Sequence, residues 1–238
     1  MILIELFSVV YSMIAYLKLL KENSMSAHKL IIYSDFICPF CYIGKINAER
    51  IQEQNPEIEL EWREFELHPE GQPDPNQTYM KQAYENVKML AEKFDINMKP
   101  EVLTDVTSDS RKALLGFEYA NEQGKGSAYR EEVFKAYWVE GRDISKDDIL
   151  VAIAEDIGLP KNEFTEAIYS ETYLAKLKSS IREAHQAGIT GVPTYVYGDY
   201  QTVGAQPVSQ LQRMIDAQHE KDELENPQNN LSCGPEGC

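Results

Sequence analysis

The chain has 238 residues, 43% hydrophobic and 26% charged, which are ordinary proportions for a globular protein of one or two domains. Its 39 acidic against 23 basic side chains give a formal charge of −16, which argues against nucleic acid and anionic membrane surfaces as partners, because little positive charge is available to displace counterions. Four cysteines, Cys38, Cys41, Cys233 and Cys238, are too few for a disulfide scaffold at this length and fall as two close pairs.

Residues 1–20 are mostly apolar but carry Glu5 early and Lys18 late, the reverse of a secretory signal, and no small-residue cleavage site follows. The expectation is an N-terminal extension over 1–26, with Met25 as the true initiator and a cytoplasmic protein. Packing on a partner, or a membrane anchor through residues 1–20, are the alternatives.

Lys29 to Tyr33 reads as a buried strand, followed by C-P-F-C and a helix to about Gln54, with Pro39 suited to its first position. Ile58, Leu60 and Trp62 alternate with Glu59, Glu61 and Arg63, giving a second, half-buried strand and the start of a parallel strand–helix–strand unit. A polar stretch from Gly71 to Asn76 marks a boundary. Helical spacing then recurs from Met80 to Phe94, Ser110 to Glu122, Ala128 to Glu140, Lys146 to Ile157, Asn162 to Tyr169 and Thr172 to Ala187. Ser145 and Asp148 are expected to form a capping pair, and Gly158 and Gly188 to end helices. Thr194 to Tyr197 and Gln201 to Val203 form a hairpin around Gly198-Asp199, and Pro207 opens a last helix. The expected organisation is an α/β domain from 27–75 and 188–225, an all-α insertion over 76–187, and a polar cysteine-bearing tail over 226–238.

In C-P-F-C, Cys38 falls at a helix N-cap just after a strand, where unpaired N–H groups and the positive end of the macrodipole stabilise a thiolate. Cys41, one turn on, is placed to attack a mixed disulfide, as dithiol exchange requires. The alternative is half of a zinc site completed by Cys233 and Cys238. Gly191-Val192-Pro193-Thr194 puts a proline at a strand start. Alone it reads as a turn; with C-P-F-C it reads as a cis bond that places backbone beside a reactive sulfur.

Cys38-Pro39-Phe40-Cys41 after a strand, a helical insertion, then Thr190-Gly191-Val192-Pro193-Thr194 and Gly204-Ala205-Gln206-Pro207 resemble the DsbA-type thioredoxin-fold family, and within it the FrnE-like dithiol-disulfide isomerase branch. The resemblance runs from about Ala27 to Leu224. It implies a thioredoxin fold with a large helical insertion, Cys38 as nucleophile, Cys41 as resolving thiol and Pro193 as the facing cis-proline. Val192 would present backbone to the substrate thiol, beside Pro39 and Phe40. Phe40 stands where strongly oxidising members carry histidine, so an intermediate potential is expected. The implied activity is thiol–disulfide exchange on protein or peptide thiols, with thioredoxin or glutathione as redox partner and no bound cofactor; no G-x-G-x-x-G occurs. A related branch suggests the rival reading, a glutathione-dependent isomerase or transferase of a small aromatic substrate, but such enzymes carry serine in place of the first cysteine. A zinc-binding structural protein using all four cysteines is the other rival.

Asp35, three residues before Cys38, is a candidate proton relay to Cys41, or a strand-ending residue bonded to local amides. Cys233 and Cys238, with two glycines and a proline between them, form a candidate second redox pair. The histidines show no ligand spacing.

Overall fold

The computed structural model describes residues 29–69, 77–102 and 109–225. The N-terminal extension, the expected boundary at 71–76 and the tail with Cys233 and Cys238 lie outside the described residues.

Strand β1 (Leu30–Ser34) leads through a short loop into α1 (Pro39–Gln54) and then β2 (Leu60–Glu64). β1 and β2 are parallel, with Leu30 beside Leu60 and Ser34 beside Glu64. The helical part follows: α2 (Gln77–Phe94), α3 (Arg111–Glu122), α4 (Gly126–Lys135), a π-helical turn (Ala136–Glu140), α5 (Asp147–Asp156), α6 (Lys161–Ala167) and α7 (Glu171–Gln186). The chain then returns through β3 (Thr194–Tyr197) and β4 (Tyr200–Val203) to α8 (Val208–Glu225). The sheet order is β2-β1-β3-β4, with β3 antiparallel to both β1 and β4. This is the expected thioredoxin-type α/β fold with a large helical insertion.

Alternation within the strands decides the layers. Leu30, Ile32, Tyr195 and Tyr197 face one side, packed on Ala48 and Ile51 of α1 and Leu211, Met214 and Ile215 of α8. Tyr33 and Phe65 face the other, against Ala184 of α7 and Ile189. The insertion has a larger core of its own, built around Tyr129, Phe134, Tyr137, Trp138 and Phe164, and it reaches the α1 cysteines without a break. Lys45 of α1, only 3% exposed, is held between Glu49 at 3.0 Å and Glu131 of α4, tying the two parts together.

Two local expectations are corrected. The pattern from Ala128 to Glu140 is not one α-helix: it closes as a π turn ended by Gly141 at φ 75°, whose N–H bonds Ala136 five residues back. Ser145 and Asp148 do not cap α5. Asp143 captures the Ser145 N–H at 3.0 Å in a local turn, so the helix starts later, with Lys146 at the cap position and no side-chain cap bond. Gly158 and Gly188 do take the left-handed conformation past helix ends, at φ 79° and 76°. Among the described residues no helix is long and apolar enough to cross a membrane.

Candidate active site

The site forms where β1 runs into α1. Cys38 is the N-cap, with extended backbone (φ −83°, ψ 115°), and Pro39 occupies the first helical turn, where its missing N–H costs nothing. The Cys38 N–H bonds the Asp35 carbonyl at 3.2 Å, and the Cys38 carbonyl accepts from Cys41 and Tyr42 at 3.0 and 3.2 Å. Both cysteines are free thiols. Cys41 is wholly buried, and Cys38 keeps only 4% of its surface.

The returning chain brings Val192 and Pro193 to the same point, joined by a cis peptide bond. The Cys38 thiol points at the Val192 carbonyl oxygen, 3.6 Å away across 154 residues of sequence. The loop is fixed on both sides. Thr194 Oγ1 donates to the Gly191 carbonyl at 2.6 Å, and the Gly204 N–H donates to the Pro193 carbonyl at 2.8 Å. Gly44, one turn past Cys41, makes this approach possible. A Cβ there would collide with the Tyr195 hydroxyl and come within 3.1 Å of Pro193 Cγ.

Burial pushes the Cys41 thiol well above its ordinary range, and the neighbouring Cys38 sulfur adds to this; the Asp35 N–H and the Ser34 hydroxyl act in the opposite sense. The Asp35 side chain is 1% exposed and braces the loop. Oδ1 accepts from the Ile37 N–H at 3.2 Å, Oδ2 from the Leu67 N–H at 2.7 Å, and Ser110 adds a third donor. Burial raises its carboxyl to about 6, with these hydrogen bonds opposing the rise. Its carboxylate thus holds backbone amides, while its N–H is the group that faces Cys41. Beneath the loop, Trp138 Nε1 donates to the Phe36 carbonyl at 2.8 Å, and its ring stacks on Tyr42.

The structure therefore brings Asp35, Cys38, Pro39, Phe40, Cys41, Val192 and Pro193 to one place. Sequence reasoning passed over Ser34, Gly44, Glu64 and Tyr195. One of these had a signal: the inward parity of Ile58, Leu60 and Trp62, carried one step further, lands on Glu64. The arrangement is that of a dithiol whose first sulfur meets a backbone carbonyl and whose second is shielded. Among the described residues no cluster of three or more His, Cys, Asp or Glu is placed to hold a metal.

Comparison with known proteins agrees with this architecture. The DSBA-like thioredoxin domain family matches residues 29–216. The uncharacterized protein YwbO of Bacillus subtilis is 33% identical over 209 residues, covering 83% of this chain and 100% of that one. A crystal structure of a probable DsbA oxidoreductase from Streptomyces coelicolor aligns with a TM-score of 0.69 at 25% identity, covering 89% of this chain and 98% of that one. The cytosolic disulfide reductase DsbM of Pseudomonas aeruginosa, solved with GSH, aligns with a TM-score of 0.61 at 19% identity, covering 79% and 99% of the two chains.

Proposed function

The chain belongs to the DSBA-like thioredoxin domain family, and from that premise we propose that it catalyses thiol–disulfide exchange on protein or peptide substrates through Cys38 and Cys41. The observation that carries this reading is the Cys38 thiol set 3.6 Å from the Val192 carbonyl with Cys41 buried behind it. The Cys38 thiolate, at the N-terminus of α1, attacks a substrate disulfide and forms a mixed disulfide as the first substrate thiol leaves. Cys41 then attacks the Cys38 sulfur and releases the second. Run backwards, the same steps oxidise a dithiol. Val192 offers its backbone to the substrate segment beside the reacting sulfur, with Pro39 and Phe40 forming the adjoining surface and Pro193 holding Val192 in place. Asp35 positions the loop through its three donors and is a candidate proton carrier.

Glutathione is the proposed source of reducing equivalents, on the precedent of DsbM solved with GSH. Cys233 and Cys238 extend the proposal as a second exchanging pair; unchanged turnover with every reductant in a Cys233→Ser/Cys238→Ser variant would end that extension. The main test is insulin reduction and refolding of scrambled ribonuclease. Wild type is expected to be active in at least one assay and Cys38→Ala inactive in both. An inactive wild type, or an active Cys38→Ala, overturns the proposal.

A further inference from the structure

Four buried polar atoms have no hydrogen-bond partner in the protein among the described residues: Ser34 Oγ, Trp62 Nε1, Glu64 Oε1 and Arg130 Nε. All four residues line one cavity, with Phe117 and Phe134 among its other walls and about 20 Å³ of room for the centre of a water-sized sphere. One small solute fits, since a single water needs roughly 10–15 Å³ by this measure. Ser34 and Glu64 are register partners on β1 and β2, and Trp62 shares the face of Glu64, two residues before it. Arg130 comes from α4, with its guanidinium 4.4 Å over the Trp62 ring. The stacked pair lines the cavity with an arginine and an indole N–H that nothing in the protein accepts, and Ser34 adds a hydroxyl.

Charge decides what the solute is. Arg130 is 9% exposed and forms no ion pair among the described residues; its hydrogen bond runs from Nη2 to the Ser127 hydroxyl at 3.3 Å. Glu49 and Glu131 act on it only through their charge, and both are engaged at Lys45. Burial lowers the Arg130 guanidinium to about 10, which leaves it charged at neutral pH. Arg63, also on the lining, is paired with Glu61. Glu64 does not supply the missing negative charge. Burial first, then the neighbouring Glu118 charge, raises its carboxyl well above the ordinary range and holds it neutral. A buried cation without a counter-ion is costly, and a water would leave that charge uncompensated.

We propose that this cavity is a binding site for one small monovalent anion of the halide class, chloride or bromide, held by hydrogen bonds from Arg130 Nε, Trp62 Nε1 and Ser34 Oγ. The three donors belong to α4, β2 and β1, so the ion joins the helical insertion to the sheet. Glu64 takes part by being neutral, since an ionised carboxylate in the same wall would repel the ligand. The chain as a whole carries −16 and repels anions at long range. Binding therefore rests on close contact with desolvated donors, where the low dielectric strengthens each interaction. The site stands whether or not the thiol exchange proposed above takes place.

The test is urea unfolding of the full chain at fixed pH and ionic strength, with sodium chloride exchanged stepwise for sodium gluconate, whose anion is too large for the cavity. Wild type is expected to gain stability as chloride rises. Once the site fills, one bound ion raises the folding equilibrium constant about tenfold for each tenfold rise in chloride. Arg130→Met keeps apolar bulk over Trp62 and removes the charge, and is expected to lose this gain. No gain in wild type, or an equal gain in Arg130→Met, overturns the site. Crystals of the wild-type chain grown in sodium bromide decide the matter without any variant. An anomalous bromine peak within hydrogen-bond reach of Arg130 Nε and Trp62 Nε1 is expected. A water at that position, or an empty cavity, overturns the proposal.

Discussion

Trp138 in the helical insertion donates its indole N–H to the backbone carbonyl of Phe36, two residues before Cys38, at 2.8 Å and with both groups buried. Trp138 lies within the π turn over Ala136–Glu140. The insertion is thus part of the scaffold of the dithiol loop. Trp138→Phe removes the donor and leaves the Phe36 carbonyl buried and unpaired. The expected loss of stability is at least about 2 kcal/mol by urea denaturation, with slower thiol exchange, because the backbone before Cys38 loses its support. Exchange at the wild-type rate would show that the insertion does not set the geometry of the loop.

Gly44 leads to a paired prediction. Gly44→Ala drives a methyl into the Tyr195 hydroxyl and against Pro193, and is expected to cost about 1–3 kcal/mol by overpacking. The Tyr195 hydroxyl has no hydrogen-bond partner in the protein among the described residues, so Tyr195→Phe alone is expected to be neutral or mildly stabilising. The double variant then recovers part of the loss, as contacting residues do when the clash is relieved. Strict additivity in a thermal or urea double-mutant cycle would contradict the contact.

Asp35 gives a pH dependence with a definite sign. Its native carboxyl lies at about 6 against an ordinary 3.8, so the folded state binds this proton more tightly than the unfolded chain does. Stability from this group is complete below about pH 4 and is lost as pH rises through about 6, by on the order of 3 kcal/mol for a fully buried group. Asp35→Asn does not titrate. Subtracting the variant's stability from that of wild type at each pH cancels the other groups, and the difference is expected to fall across this window. A difference that stays constant would mean the carboxyl titrates as it does in water.

Cys41→Ser keeps the proposed nucleophile and removes the resolving thiol. Mass spectrometry after incubation with a disulfide-bonded peptide is expected to find the peptide attached at Cys38, stable until added reductant frees it. Attachment elsewhere, or none, would contradict the division of labour between the two sulfurs.

What the sequence disclosed follows from how local each feature is. β1, the start of α1 at Pro39 and the Gly198 turn rest on neighbours in the chain, so short-range patterns reveal them. The meeting of Cys38 with Val192 was legible only through the joint motif, since 154 residues separate the two. The π turn was hidden because helical spacing looks the same whether the ring closes at four residues or five. Ser145 and Asp148 misled because Asp143, a competitor for the same amide, lies just outside the pattern. Ser34 and Trp138 carried no signal: a serine at a strand end and an aromatic in a helix are commonplace until their partners are placed.

One consequence of the split sheet concerns synthesis. β1 lies beside β3, with Ile31 paired to Val196. At about 5–20 residues per second, roughly ten to thirty seconds separate the emergence of the two strands from the ribosome. For that interval the growing chain carries Cys38 and Cys41 without the loop and strand that later cover them. Any oxidant or crosslinking thiol nearby meets the pair before β3 does, so the redox state in which this protein is born is set by its surroundings during translation rather than by its finished structure.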